Sequence, residues 1–275
     1  MKRFRNHVRY IHKEFDAFVG WLFSNQKPLK NMCRTPMHDF SIENNSFFAY
    51  SRKDHFSMFH LMPVHKNQNP ATCDLKVYQD LFVYSFIIEN IPKGAKILEI
   101  GGGESRIIDS LNKDFEFWNL DRLEGQGHGP KSIFTTDGFF LVRDNIGNFS
   151  DELPEDYFDL IFSISVVEHF LEDEESISNI LLDMERIMKK DAWSLHCVDS
   201  LLFKDHVWFH PLVHKIADSS DIINLPLLLE QIYEDDHLWV LPKYAYFTRW
   251  FPKTKSLMKS FGQPFSLNLI WRNSN

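Results

Sequence analysis

Long apolar runs are missing from this sequence: nothing approaches the roughly 18 uninterrupted apolar residues that a membrane-spanning helix needs. Cysteine is scarce as well. Cys33, Cys73 and Cys197 lie far apart with no CxxC spacing, which argues against a disulfide framework and reads as reduced thiols in a cytoplasmic protein. The basic start, MKRFRNHVRYIHKEF, leads into mixed residues instead of a continuous apolar stretch, so no secretory signal is expected. There is no G-x-S-x-G elbow and no Walker-type glycine loop, which leaves serine hydrolases and P-loop enzymes without support. Positive charge is short overall, with a net −8. A global nucleic-acid footprint is therefore not expected, although bases outnumber acids in the first sixty-odd residues and form a local basic arm.

What is present is the material of a folded α/β protein. A hydrophobic share of 44% over 275 residues suffices for a real core in one large domain with additions. Val8, Ile11, Phe15, Phe18 and Leu22 recur at helical spacing; this predicts a helix docked on the main domain or, alternatively, one resting on an anionic membrane surface. Residues 24–74 are irregular, with Pro28, Pro36, Pro63 and Pro70. We read 1–74 as an N-terminal extension, partly helical, that serves as a lid or substrate region.

From residue 75 to 275 the text is regular. DLKVYQDLFVYSFIIENI predicts a helix that stops at Pro92-Lys93-Gly94. AKILEI, FEFWNL, YFDLIFSIS and AWSLHCVDS predict strands, with a further short strand near Ile133–Thr135 and a last one in PFSLNLIWRN. SISNILLDMERIMKK is an amphipathic helix. Strands alternating with helices predict a parallel sheet covered on both faces.

In such a sheet, ligands bind beyond the carboxyl ends of the strands where strand order reverses. The loop there is Glu99-Ile100-Gly101-Gly102-Gly103-Glu104-Ser105-Arg106. A dinucleotide turn needs a third glycine three residues after Gly103, where Arg106 stands, and a pyrophosphate would be repelled by Glu99 and Glu104. An NAD-dependent oxidoreductase is thereby disfavoured. Asp121, about twenty residues further on, is placed to accept both hydroxyls of a ribose. Asp137, after the short strand near Ile133–Thr135, is placed for an adenine amino group.

Together, ILEIGGGES, FWNLD, TTDGF and FDLIFSISVVEHF resemble the successive motifs of the class I S-adenosylmethionine-dependent methyltransferases, over roughly Lys76–Ser200. The resemblance implies a Rossmann-like, doubly wound, mostly parallel seven-stranded sheet with an antiparallel edge strand and a substrate-shaping insertion after the fifth strand, at about 201–247. It implies S-adenosyl-L-methionine as cofactor. Gly101, Gly102 and Gly103 would flank its methionine part, Glu99 would orient the turn or the ammonium, Asp121 would hold the ribose and Asp137 would lie by the adenine. Ser163 and Ser165 would face the sulfonium and the acceptor.

Methyl transfer is an in-line displacement, and an oxygen acceptor calls for a general base. His169 in VVEHF is the first candidate, joined by His196 and Asp199 on the fifth strand. Glu168, His169 and His206 form the best candidate for a divalent-metal site, but a polar rim without metal is the favoured reading. The elements after the fifth strand also resemble, more loosely, methyltransferases encoded with surface-polysaccharide genes. The expected activity is thus methylation of a small molecule or saccharide, at a hydroxyl, with an RNA or protein methyltransferase and a non-catalytic cofactor-binding scaffold as the alternatives.

Overall fold

Short runs of β-branched and aromatic residues, each closed by a turn, build the sheet. The computed structural model describes residues 48–125, 129–133, 136–219 and 223–273. Within them β1 (Lys96–Ile100), β2 (Glu116–Leu120), β3 (Phe139–Val142), β4 (Phe158–Ile164) and β5 (Met188–Leu202) are parallel, in the order β3-β2-β1-β4-β5. β6 (Val207–Trp208) folds back antiparallel on the end of β5. β7 (Gln263–Arg272) runs antiparallel along β5, from Gln263 opposite Leu202 to Arg272 opposite Trp193. This is the expected doubly wound, mostly parallel seven-stranded sheet with an antiparallel strand at its border.

That border is covered. An open strand edge invites pairing with another chain. Here Ser51 N–H donates to Ser266 O (2.8 Å), Asn268 N–H to Ala49 O (2.7 Å) and Leu241 N–H to Pro264 O (2.7 Å). Two short extended segments thus close β7 over Pro264–Asn268.

Helices cover both faces. α1 (Leu75–Asn90), capped by the Asp74 carboxylate on Leu75 N–H at 2.8 Å, is apolar almost all round. Such a helix must be buried, and Tyr78, Phe82 and Phe86 pack with Phe162, Trp193 and Leu195 on one face of the sheet. α2 (Arg106–Leu111) adds Ile107, Ile108 and Leu111 to that layer. On the other face, α3 (Glu174–Ile187) packs Ile177, Ile180, Met184 and Ile187 near Leu98, Ile161 and Leu269. α4 (Pro211–Ser219) and α5 (Leu225–Glu234), from the segment after β5, extend this second layer through Val213, Leu228 and Ile232. Phe48, Phe56, Phe59 and Met62, ahead of α1, are built into the first layer. Among the described residues no helix is long and apolar enough to cross a membrane.

The strand beside β2 falls outside the runs read from the sequence. β3 is Phe139–Val142, and of the run expected near Ile133–Thr135, Phe134 and Thr135 lie outside the described residues. Gly138, at φ +87°, turns the chain into β3, and Phe140 pairs with Trp118 at a ring distance of 4.7 Å. The helix expected over Val8–Leu22 also lies outside the described residues. β1 has β2 on one side and β4 on the other. Strand order therefore reverses there, and a crevice opens beyond the carboxyl ends of β1 and β4.

Candidate functional site

The glycine turn leaves β1 in a left-handed conformation that side chains disfavour: φ is +66° at Gly101 and +51° at Gly103. A Cβ on Gly101 would lie 2.7 Å from both methyls of Val166. Gly101 N–H donates to Leu120 O (2.7 Å), and Gly103 N–H donates to Asp121 Oδ2 (2.9 Å). Asp121 Oδ1 accepts from Leu123 N–H at 2.6 Å. The turn is thus pinned on the carboxylate at the end of β2. Below it, Asn119 Nδ2 donates to Gly103 O at 2.9 Å.

Ser105 then caps α2, accepting from Ile108 N–H at 3.0 Å, while its hydroxyl donates to Glu99. Glu99 is only 4% exposed. Burial pushes its carboxyl up to about 7, against the opposing hydrogen bond from Ser105. Arg106, in the third-glycine position, starts α2 and grips Asp80 of α1 with two guanidinium nitrogens. His65 Nε2 lies 2.7 Å from the same carboxylate. Lys76, Glu99, Gly101, Glu104 and Ile164 line the crevice.

Beyond Ile164 the chain continues along the same edge. Ser165 has φ +52°, and its N–H donates to Cys197 O at 2.9 Å. A non-glycine residue held there is strained, as residues at functional sites often are. Its hydroxyl stands 2.7 Å from Gln79 Oε1 and 2.9 Å from Asp199 Oδ1, and Gln79 Nε2 donates to Asp199 Oδ1 at 2.8 Å. Burial raises the Asp199 carboxyl, against the hydrogen bonds from Gln79 and Ser165. Glu168, in the single turn Val167–His169, is pushed well up by burial and by repulsion from Asp199. Its Oε2 is buried without a hydrogen-bond partner.

Glu99, Gly101, Gly102, Gly103 and Asp121 therefore form one group, and Ser165, Glu168 and Asp199 a second beside it. His169 is exposed at the end of its turn. Asp137, His196, Ser163 and His206 stand outside these two groups. Asp137 precedes β3, so it sits at the amino end of that strand; the acid at the carboxyl end is Asp144, which accepts from Asn145 N–H at 2.7 Å. His196 is 1% exposed, between Ser163 (Nδ1, 2.8 Å) and Ser194 (Nε2, 2.9 Å). Burial pulls its pKa down to about 3, so it is a neutral core residue without access to an acceptor. Ser163 is spent on the same contact. His206 is exposed and pairs with Asp205 at 2.9 Å, and among the described residues no three His, Cys, Asp or Glu side chains gather as a metal site.

The sequence reading missed Lys76, Gln79 and Asp80. Their signal was present: three polar residues at i, i+3 and i+4 share one stripe in the first half of a largely apolar helix.

No family model matches this sequence, and no curated protein does. Solved structures resemble parts of it. Phosphoethanolamine N-methyltransferase 2 of Haemonchus contortus, in complex with S-adenosylhomocysteine, is 13% identical over 72% of this chain and 52% of its own, with a TM-score of 0.45. N-methyltransferase NodS of Bradyrhizobium japonicum is 14% identical over 50% of this chain and 68% of its own, at 0.37. A TehB-like SAM-dependent methyltransferase of Corynebacterium glutamicum is 20% identical over 49% and 69%, at 0.35. This chain spans about half the length of the Haemonchus enzyme. At such identities and scores the likenesses transfer neither substrate nor residue roles.

Proposed function

We propose that this chain transfers a methyl group from S-adenosylmethionine to a small-molecule acceptor. The observation that carries this reading is the Gly103–Asp121 anchor. Each Asp121 oxygen accepts one backbone N–H, and a carboxylate has about four acceptor sites. Two lone pairs remain for the two hydroxyls of a ribose. Glu99 supplies a buried negative charge for the cofactor's ammonium, and glycines at 101 and 103 let the backbone come close to its methionine part. We assign Asp144, at the carboxyl end of β3, to the adenine in place of Asp137, which precedes that strand.

The turn suits a pyrophosphate poorly. Arg106 is committed to Asp80, and Glu99 and Glu104 both line the crevice. When bound, S-adenosylmethionine supplies an electrophilic methyl on a sulfonium. The chain's own residues then hold the acceptor in line, exclude water and take up a proton. A hydroxyl acceptor had His169, His196 and Asp199 as candidates for the base; with His196 buried, that reading keeps His169 and Asp199.

Calorimetric titration with S-adenosylhomocysteine and with NAD tests the proposal. Binding of the former alone is expected, weakened by about 1.5–3 kcal/mol in Asp121→Ala through loss of charged hydrogen bonds. A chain that binds neither ligand is no methyltransferase, and one that binds S-adenosylhomocysteine but turns over no acceptor is a scaffold.

A further inference from the structure

We propose that the Glu168–Asp199 pair seats the amino group of the methyl acceptor, so that this chain methylates nitrogen in a primary or secondary amine; this rests on the methyl-transfer reading above. The first ground is the orphaned Glu168 Oε2, buried with no donor. A buried carboxylate oxygen is costly unless something donates to it. Among the described residues neither Glu168 nor Asp199 has an ion pair within 4.0 Å, and Lys76, the nearby cation on α1, has none either.

The second ground is the difference between the two carboxylates. Gln79 donates to Asp199, so the close contacts from Ser165 to both Gln79 Oε1 and Asp199 Oδ1 must share one hydroxyl hydrogen. Ser165 is placed to give it to Asp199, which then accepts from both Gln79 and Ser165. Asp199 thus has its donors within the protein, and the Glu168 oxygen is the one left without any.

The third ground is position. Ser165 and Val166 directly follow Ile164, which lines the glycine crevice, and Val166 packs on Gly101. An alcohol brings one neutral O–H to this place. An ammonium brings a positive charge and several N–H donors, which a buried, unpaired carboxylate favours.

The step balances. The bound ammonium gives a proton to the Glu168 carboxylate, and its freed lone pair attacks the methyl carbon. The C–S bond breaks and its electron pair stays on sulfur, leaving a thioether. The product departs as the methylated ammonium, and Glu168 returns its proton to solvent.

The test uses matched probes, n-butylamine with n-butanol and benzylamine with benzyl alcohol. Each is titrated into the full chain at about pH 8, alone and saturated with S-adenosylhomocysteine. The expected result is that at least one amine binds about tenfold or more tightly than its alcohol, the size of one charged hydrogen bond. Glu168→Gln should reduce that preference to under about threefold, with Asp199→Asn as a second variant should the first not fold. Equal binding within both pairs, no binding of any probe, or a preference that survives both substitutions overturns the proposal. So does a loss confined to S-adenosylmethionine binding in Glu168→Gln, which would mean that the pair serves the donor's sulfonium. Absence of S-adenosylhomocysteine binding strikes the cofactor reading instead, because the amine preference is also read on the chain alone.

Discussion

Glu99 offers the sharpest test of the donor site, because its ionisation is linked to both stability and binding. Its carboxyl is raised from 4.5 to about 7 by burial, with the Ser105 hydrogen bond opposing. The folded state therefore holds a proton that the unfolded chain has already released. This contribution is fully present below about pH 4.5 and is lost as pH rises through about 7. For this shift the folded chain gives up about 0.8 kcal/mol by pH 5 and about 3 kcal/mol by pH 8. Glu99→Gln removes the titration and keeps an oxygen to accept from Ser105. Urea unfolding of both proteins should show the variant's advantage growing by about 2–3 kcal/mol between pH 5 and pH 8.

Binding should show the opposite dependence. A cofactor ammonium needs Glu99 ionised, so S-adenosylhomocysteine should bind more tightly as pH rises, by up to about tenfold per unit, and level off above about pH 7. Below that point, binding takes a proton from Glu99. The measured enthalpy must then vary with the ionisation enthalpy of the buffer. A stability gap between the native chain and Glu99→Gln that stays flat across this pH range would refute the argument. So would affinity that ignores pH, since Glu99 would then be an ordinary acid facing no cation.

Two further outcomes follow from backbone and burial. Gly101→Ala combines φ +66° with a Cβ 2.7 Å from Val166, whereas Gly94→Ala has φ +82° and open space; thermal melting should show only the backbone cost of about 1–2 kcal/mol at Gly94 and distinctly more at Gly101. His196 has its pKa depressed from 6.5 to about 3, so its contribution is present above about pH 6.5 and falls as pH drops towards 3. About 2 kcal/mol should be gone by pH 5, and unfolding curves of His196→Gln should lack that loss.

Local chemistry made much of this molecule legible. The strand–glycine–helix turn, Asp121 and the apolar helix before β1 each follow from a few adjacent residues. Positions that depend on pairing between distant strands did not. Asp137 was expected to follow a strand, but it precedes Phe139–Val142, and it is pairing with Phe117–Leu120 that marks FFLV as a strand. His196 read as a base because a histidine at the end of a strand looks accessible. Its register opposite Ser163 turns it into the core instead. The orphaned Glu168 oxygen has no sequence signature, since it is defined by donors that are absent in three dimensions.

The polar stripe of α1 joins the two halves of the site, and this yields one more expectation. Asp80 is held by Arg106 at the start of α2, directly behind the glycine turn. One residue earlier, Gln79 is bonded to Ser165 and Asp199 on the acceptor side. A helix packed by Tyr78, Phe82 and Phe86 does not slide readily, because interiors are close-packed. Each polar contact should then fix its own half. Asp80→Asn weakens the grip on Arg106 and should lower S-adenosylhomocysteine affinity by several-fold while leaving the preference for amine over alcohol intact. Gln79→Met removes the donor to Asp199 and should disturb that preference while changing S-adenosylhomocysteine affinity little. Calorimetry on the two variants with both ligand classes separates the effects. If either substitution impairs both halves equally in a protein that still melts cooperatively, α1 carries the site as a single unit, and the division between donor and acceptor sides is wrong.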